Sequence, residues 1–157
     1  MSEETPWYEL VAMPALLRHA RYAYGEAMRR ALGEAGYDDI PKNGLYVIGG
    51  LALGAGAVPL GQLIEELRIS KQAAGQLVDT LVMRGYLERT VDEADRRKLT
   101  VTLTVRGQAA AATQRSARER VDGALAARVG GDDLLKTRRT LAALIDMGRK
   151  DGDDGSH

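Results

Sequence analysis

The chain has 157 residues, 45% of them hydrophobic and only 4% aromatic, so one domain with a mainly aliphatic core is expected. It contains no cysteine, which excludes disulfides, thiolate metal sites and thiol-based redox sensing. Its 22 basic and 22 acidic residues give a formal net charge of zero, so the overall charge does not indicate a nucleic-acid partner. No apolar run approaches the roughly 20 residues that span a bilayer, and the acidic start Met1–Glu4 is unlike a secretory signal. We therefore expect a soluble cytoplasmic protein with no membrane partner.

The first part of the chain is predicted to be helical. Apolar residues at three- and four-residue steps predict a helix over about Pro14–Ala35, whose first turn tolerates the proline. The preceding stretch, Trp7–Met13, is either a short separate helix or an arm. After the break at Gly36–Pro41, a second helix is predicted that ends at about Leu53.

Two short helices follow the glycine-rich break Gly54–Pro59. The first is predicted over Leu60–Leu67, with Leu63, Ile64 and Leu67 facing inward. The second is predicted over Lys71–Arg84, with Ser70 as its N-cap and Gly85 as its C-terminal stop. Its predicted buried stripe consists of Ala74, Leu77, Val78 and Leu81.

Beyond Gly85 the period changes from helical to alternating. Tyr86–Thr90 and Leu99–Thr104 are rich in strand formers, and the charged stretch Val91–Lys98 lies between them. The pattern predicts a β-hairpin with a polar tip.

Two helices are predicted after the hairpin. Thr104 can cap a long helix to about Val129, and Asp132 or Asp133 can cap a last helix to about Arg149. The polar tail Asp151–His157 is expected to be disordered. A small preceding lobe offers these helices no partner, so a second subunit is expected to cover their apolar residues. These residues are Leu125, Val129, Leu134, Leu141, Leu144 and Ile145.

The order helix, short turn, helix, hairpin is that of a winged helix-turn-helix. A helix about 10–12 Å across fits the major groove of DNA. Its N-terminal residues face base edges, which places Ser70, Lys71, Gln72, Gly75 and Gln76 at or near DNA. Glutamine can pair with adenine, lysine can reach guanine or a phosphate, and Ala73 can touch a thymine methyl. Arg96 or Arg97 of the hairpin tip can enter the minor groove.

Charge is unevenly distributed along the chain. Residues 1–67 carry a net charge of −4, residues 68–106 of +3 and residues 107–157 of +1. The positive excess coincides with the predicted DNA-binding segment. A polar helix face is also simply solvated in many proteins, so a winged protein-interaction module that has lost specific DNA binding is the alternative.

The sequence contains few of the motifs and residue types on which enzyme active sites depend. We therefore expect no catalytic residue, no metal and no cofactor. The run Gly49–Gly56 lacks the Gly-Lys-Ser/Thr of a phosphate loop and the third glycine of a dinucleotide fingerprint. Its glycines are better suited to close helix packing or a bent helix. The two histidines, His19 and His157, are too few for a triad or a typical metal site.

Several motifs resemble the multiple-antibiotic-resistance regulator (MarR) family. Gln62–Lys71 and the continuation Leu77–Leu81, Arg84–Leu87 resemble that family's helix-turn-helix. Asp95-Arg96-Arg97, followed by Leu103-Thr104 and Gly107, resembles the family's Asp-x-Arg…Leu-Thr…Gly wing signature at its spacing. The match is close over about residues 40–110, and helices of suitable length flank it.

The resemblance implies a mainly α fold with a small β-hairpin wing. We expect an N-terminal dimerisation helix (1–36), a winged helix-turn-helix domain (37–105), C-terminal dimerisation helices (106–150) and a tail (151–157). The homodimer would regulate transcription, most often as a repressor, by binding a pseudo-palindrome in double-stranded DNA. Arg97 would enter the minor groove, with Asp95 orienting it.

The resemblance carries three departures and one open question. Arg68 stands where the turn commonly has glycine, and Ile64 stands where a small residue is usual. Gly75 interrupts the recognition helix at a cost of roughly 1 kcal/mol relative to alanine. The resemblance also allows a small aromatic effector, but a tyrosine on a helix stripe is more often explained by core or dimer packing, and a lone histidine is more often structural. The main candidate effector residues are His19, Tyr22 and Tyr46, and Trp7 and Tyr24 are further candidates. The DNA-binding set is Ser70, Lys71, Gln72, Gln76, Asp95, Arg96, Arg97 and Lys98.

Overall fold

The computed structural model describes residues 3–53, 57–59, 62, 65, 67–91, 93–97 and 99–154. Contacts divide the chain into two compact units, Met1–Arg118 and Glu119–His157. Within the described ranges, no helix is both long enough and apolar enough to cross a membrane.

The N-terminal segments are helical, as the periodicity predicts. Trp7–Glu9 forms a short 3₁₀ helix, which settles the helix-or-arm alternative in favour of a helix. Helix α1 spans Met13–Glu34, and helix α2 spans Gly44–Leu53. Gly36 has a φ of 89°, and the N–H of Tyr37 donates to the carbonyl of Leu32 at 2.7 Å. This left-handed glycine closes the end of α1 in the way that only glycine does without strain.

A three-stranded antiparallel sheet forms the wing, and its strands β1 (Ala57–Pro59), β2 (Leu87–Val91) and β3 (Leu99–Leu103) lie in the order β1-β3-β2. Strand β2 is Leu87–Val91 and β3 is Leu99–Leu103, which confirms the predicted hairpin with slightly shorter strands. Strand β1, Ala57–Pro59, was predicted only as part of a glycine-rich break. It pairs with Thr100–Thr102.

Helix α3, Lys71–Met83, lies against β2 and ends as predicted at Gly85, whose φ is 83°. The helix predicted over Leu60–Leu67 is described only in part, since Gln62, Glu65 and Leu67 have helical backbone. Leu60, Leu63 and Ile64 lie outside the described residues, as do Gly54 and Gly56 of the glycine run.

The core of the first unit is aliphatic, as the composition requires. It joins α1, α2, α3, the wing and the start of the next helix. The predicted inward stripe of α3 is buried throughout: Ala74, Leu77, Val78 and Leu81. Gly49 of α2 confirms the packing role proposed for the glycine run, because a Cβ there would lie 3.1 Å from the buried amide of Gln114. Gly50 faces open space instead.

Helix α4 spans Val105–Val129, and helix α5 spans Gly131–Asp154. Gly130, with a φ of 87°, separates them. Helix α5 extends past the predicted end near Arg149, so the tail expected from Asp151 is helical to Asp154, and residues 155–157 lie outside the described ones. Gly152 lies within α5 and lacks the positive φ of Gly130, which separates the two helices.

The second unit leaves its apolar side chains uncovered. Among its described residues none is buried, and Leu134 and Leu141 are half-buried. The larger exposed apolar side chains are Val129, Leu135, Leu144, Ile145 and Met147. A helical pair with this much apolar surface cannot be stabilised by its own core.

Candidate nucleic-acid interface

Helix α3 begins with a side-chain cap that holds its first turn at the surface. The Ser70 Oγ accepts a hydrogen bond from the backbone N–H of Ala73 at 3.1 Å, which confirms the predicted N-cap. Lys71 and Gln72 follow it and are exposed. The start of α3 therefore presents polar groups and the positive end of its dipole to the solvent.

The outward face of α3 continues along its whole length. Gln72, Gln76, Asp79 and Met83 are exposed on the side opposite the buried stripe. Gly75 lies beside them, and a Cβ built on it meets no atom within 4 Å. Packing against the part of the chain that the structure describes therefore does not explain why this position lacks a side chain.

The turn before α3 is strained at one residue. Arg68 has a φ of 51°, in the left-handed region where glycine is the usual choice. The sequence comparison with the MarR turn predicts this strain, and the structure confirms it. Holding a residue with a Cβ in this conformation costs on the order of 1 kcal/mol.

The wing tip presents exposed arginines. Residues 93–97 are all exposed, and Asp95 Oδ1 accepts a hydrogen bond from the backbone N–H of Arg97 at 3.1 Å. Asp95 thus shapes the turn through the main chain of Arg97 and leaves the guanidinium free to reach outward. Arg96 is exposed next to it, whereas the predicted contact Lys98 lies outside the described residues.

An ion pair links α3 to the wing. Arg89 of β2 donates from Nη2 to Asp79 Oδ1 of α3. The pair joins the two elements that are predicted to meet DNA, and it neutralises the one carboxylate on the outward face of α3.

The rest of the wing signature anchors the base of the hairpin. Thr104 Oγ1 accepts from the backbone N–H of Gly107 at 3.0 Å, as the predicted cap of α4 requires, and donates to the carbonyl of Gly85. A Cβ on Gly107 would lie 2.1 Å from the carbonyl oxygen of Tyr86, so a side chain there is excluded. Thr104 and Gly107 therefore hold the hairpin onto α4, while Asp95 and Arg97 belong to its tip.

A polar cluster that sequence reasoning missed lies beside this anchor. The Asp39 cluster consists of Tyr37, Asp39, Arg84, Tyr86 and Arg106. The Tyr86 hydroxyl donates to Asp39 Oδ1, and Arg106 Nη2 lies 3.3 Å from the same oxygen and 3.0 Å from the Tyr86 hydroxyl. The Arg106 guanidinium lies 5.2 Å and 4.6 Å from the ring centroids of Tyr37 and Tyr86. Asp39 and Arg106 are 67 residues apart in the sequence, so no local pattern predicts the cluster.

The cluster shifts two pKa values in opposite directions. Burial raises the pKa of Tyr86 to about 12, and the hydrogen bond to Asp39 acts in the same direction. The hydrogen bond from Tyr86 lowers the pKa of Asp39 below its ordinary value, with the nearby arginines contributing. Both shifts keep a neutral phenol donating to a charged carboxylate at physiological pH.

The candidate effector residues lie at the surface. His19 is exposed, as are Tyr22 of α1 and Tyr46 of α2, at 69% and 52%. Trp7 is 69% exposed. A cavity of about 220 Å³ lies at the end of α1 and involves none of these residues. It is lined by Arg29, Leu32, Gly33, Tyr37, Asp38 and Ile40.

Comparison with known proteins finds a family model that matches the central segment. The model of the MarR family matches residues 39–98, which contain α2, α3 and most of the wing. A comparison with curated protein sequences found no match.

Solved structures of regulators share the fold across most of the chain. FabT from Streptococcus pneumoniae, in complex with DNA, superposes with a TM-score of 0.72 at 16% identity, covering 88% of this chain and 99% of its own. A MepR mutant from S. aureus gives 0.68 at 15% identity, with 87% and 97% covered. A mutant MarR from E. coli, complexed with operator DNA, gives 0.67 at 18% identity, with 90% and 99% covered. At these identities the likeness establishes the predicted fold, a mainly helical chain with a winged helix-turn-helix.

Proposed function

We propose that the chain belongs to the MarR family of winged-helix, DNA-binding transcription regulators, whose model matches residues 39–98. It binds a pseudo-palindromic operator in double-stranded DNA as a homodimer and represses transcription from it. The finer elements of this proposal are the operator, the repressor role and the residues that read the bases.

One observation carries the proposal. The exposed polar face of α3, with Gln72 and Gln76 one turn apart, belongs to the same lobe as a wing whose exposed tip carries Arg96 and Arg97. A helix that enters the major groove needs polar side chains facing away from the core, and glutamine suits adenine edges. An arginine at the end of a hairpin suits the narrower, more negative minor groove.

Two of the structural neighbours support the same mode of binding. The E. coli MarR mutant was solved with operator DNA and S. pneumoniae FabT with DNA. By analogy, α3 of this chain would lie in the major groove with Ser70 and Lys71 near the backbone, and Lys98 would add a phosphate contact.

The uncovered second unit supports the dimer. Its exposed side chains include Leu144, Ile145 and Met147 at 49%, 54% and 64%, and apolar surface of this kind marks an interface between subunits. Two-fold pairing would set the half-sites about one DNA turn, roughly 10 bp, apart. A dimer is typical of the family.

An effector is a further part of the proposal. A small aromatic molecule held by His19, Tyr22 and Tyr46 would release the operator only if it bound one spacing of the two lobes more tightly than the other. In that case a candidate ligand should lower the affinity of the protein for the operator more than its affinity for a mixed-sequence duplex.

Single substitutions with matched controls test the contact residues. Gln72→Ala and Arg97→Ala should each weaken operator binding by about 1–3 kcal/mol, and Arg97→Ala should also reduce the salt dependence by about one phosphate contact. The matched controls are Gln108→Ala and Arg30→Ala, exposed residues on α4 and α1. Fluorescence anisotropy with a labelled operator measures the four affinities. Equal affinities for the contact variants and their controls, in folded dimers, would favour the protein-interaction module instead.

A further inference from the structure

Asp39 is bound to three elements of the DNA-binding lobe at once. Its backbone carbonyl accepts a hydrogen bond from Arg84, the residue directly after α3. Its carboxylate accepts one from Tyr86, the residue directly before β2, and pairs with Arg106 in the first turn of α4. Asp39 itself lies in the short segment between α1 and α2. One residue therefore connects the end of the recognition helix, the base of the wing and the helix that follows the wing.

The contacts of the Asp39 cluster are directional. Hydrogen bonds weaken steeply when the donor angle changes, and the Arg106 guanidinium is confined between two tyrosine rings that meet edge to face at 6.2 Å. The Tyr86 side chain is fully buried, so its hydroxyl has a fixed position. Apolar packing between the same elements would permit sliding that this cluster resists.

The same geometry indicates a small role in overall stability. The side chains of Asp39 and Arg106 are each 40% exposed, and exposed ion pairs contribute little to folding free energy. The apolar core described above holds the lobe together without them. A polar cluster that adds little stability but fixes three elements is suited to orienting them.

We propose that Asp39 is a positioning residue for sequence reading. It touches no DNA, and through Arg84, Tyr86 and Arg106 it fixes the angle between α3 and the wing, so that Gln72 and Arg97 reach their two grooves together. The proposal rests on the proposed function. Specific binding needs both elements in place, whereas non-specific binding depends mainly on charge. Loss of Asp39 therefore lowers the preference for the operator over other DNA.

The test compares Asp39→Asn with Asp38→Asn. Asp38 is the adjacent, exposed carboxylate, so the two variants change the net charge equally. Affinities are measured for the operator selected by the wild-type protein and for a random duplex of equal length, with thermal unfolding recorded for each variant. Asp39→Asn should lose about tenfold in operator affinity, within the range for residues of one hydrogen-bond network. Its affinity for the random duplex should match that of Asp38→Asn.

A second variant tests whether Asp39 acts through Tyr86. Tyr86→Phe removes the hydroxyl and keeps the buried ring, and it should reproduce the loss of operator preference. The double variant should lose no more than Asp39→Asn alone, because both remove the same interaction. Losses that multiply would contradict this route.

Three other results would overturn the proposal. One is an operator affinity of Asp39→Asn equal to that of Asp38→Asn, and another is an equal loss of affinity for both duplexes, which is the signature of a general defect. An Asp39→Asn protein that fails to fold would contradict the small stability role on which the argument depends. A wild-type protein that selects no duplex at all would instead contradict the proposed function. That result is distinct from the three results that contradict the role of Asp39.

Discussion

Replacing Gly75 with alanine should stabilise the protein and weaken its binding to DNA. Gly75 lies inside α3, its backbone is not left-handed, and an added Cβ meets no atom within 4 Å. Alanine is favoured over glycine inside a helix by about 0.8–1 kcal/mol. For a chain of this size, 1 kcal/mol raises the melting temperature by about 2–4 °C.

The effect on DNA should have the opposite sign. Gly75 lies beside Gln72 and Gln76 on the side of α3 that is proposed to meet the major groove. Where DNA approaches the bare backbone, a methyl group overpacks the contact at a typical cost of about 1–3 kcal/mol. Operator affinity should then fall by about 5- to 150-fold while thermal stability rises.

Gly25 supplies a matched control. It lies inside α1, is half-buried like Gly75 and also faces open space within the protomer. Gly25→Ala should raise the melting temperature by a similar amount and leave operator affinity unchanged. Calorimetry and anisotropy on the same samples give both quantities. A stabilised Gly75→Ala protein with wild-type affinity would refute the placement of this helix face on DNA, and an unstabilised one would refute the open-space argument.

The remaining predictions concern the turn, the Asp39 cluster and the second unit. Arg68→Gly should raise the free energy of unfolding by about 0.5–1 kcal/mol, because glycine adopts the left-handed backbone without strain. Arg68→Ala keeps a Cβ and should give no such increase. Denaturant titration measures the free energy of unfolding of both variants. The pKa of Tyr86 is raised to about 12 from 10.0, so its contribution to stability is complete below pH 10 and is lost as the pH rises toward 12. Tyr86→Phe should therefore abolish part of the stability loss above pH 10, and an unchanged pH profile would contradict the assignment. Ile145→Asp should give monomers in sedimentation analysis, with Asp146→Asn as the control; a dimer in both would place the interface elsewhere.

Local sequence signals predicted the elements that are stabilised locally. The cap at Ser70, the helix stop at Gly85 and the alternating strands of the hairpin each depend on neighbours in the chain. The strain at Arg68 followed from comparison with the MarR turn. These local features are sufficient to predict the helices and strands around the proposed site without any long-range contact.

Features that depend on distant partners escaped prediction. Strand β1 is only three residues long and exists because it pairs with Thr100–Thr102, more than 40 residues away. The Asp39 cluster joins residues from three separate segments, and Asp39 carries no local pattern that distinguishes it from Asp38. Helix α5 exceeded its predicted length because a polar, exposed end offers no apolar period from which to judge where it stops.

Selection of the purified protein against a random duplex library at about 150 mM salt tests the central claim most directly. The protein should be folded and dimeric, and no candidate effector should be present. Sequencing of the retained DNA should recover a pseudo-palindrome whose half-sites lie about one helical turn, roughly 10 bp, apart. Recovery of no sequence above background would contradict sequence-specific regulation and favour a winged protein-interaction module.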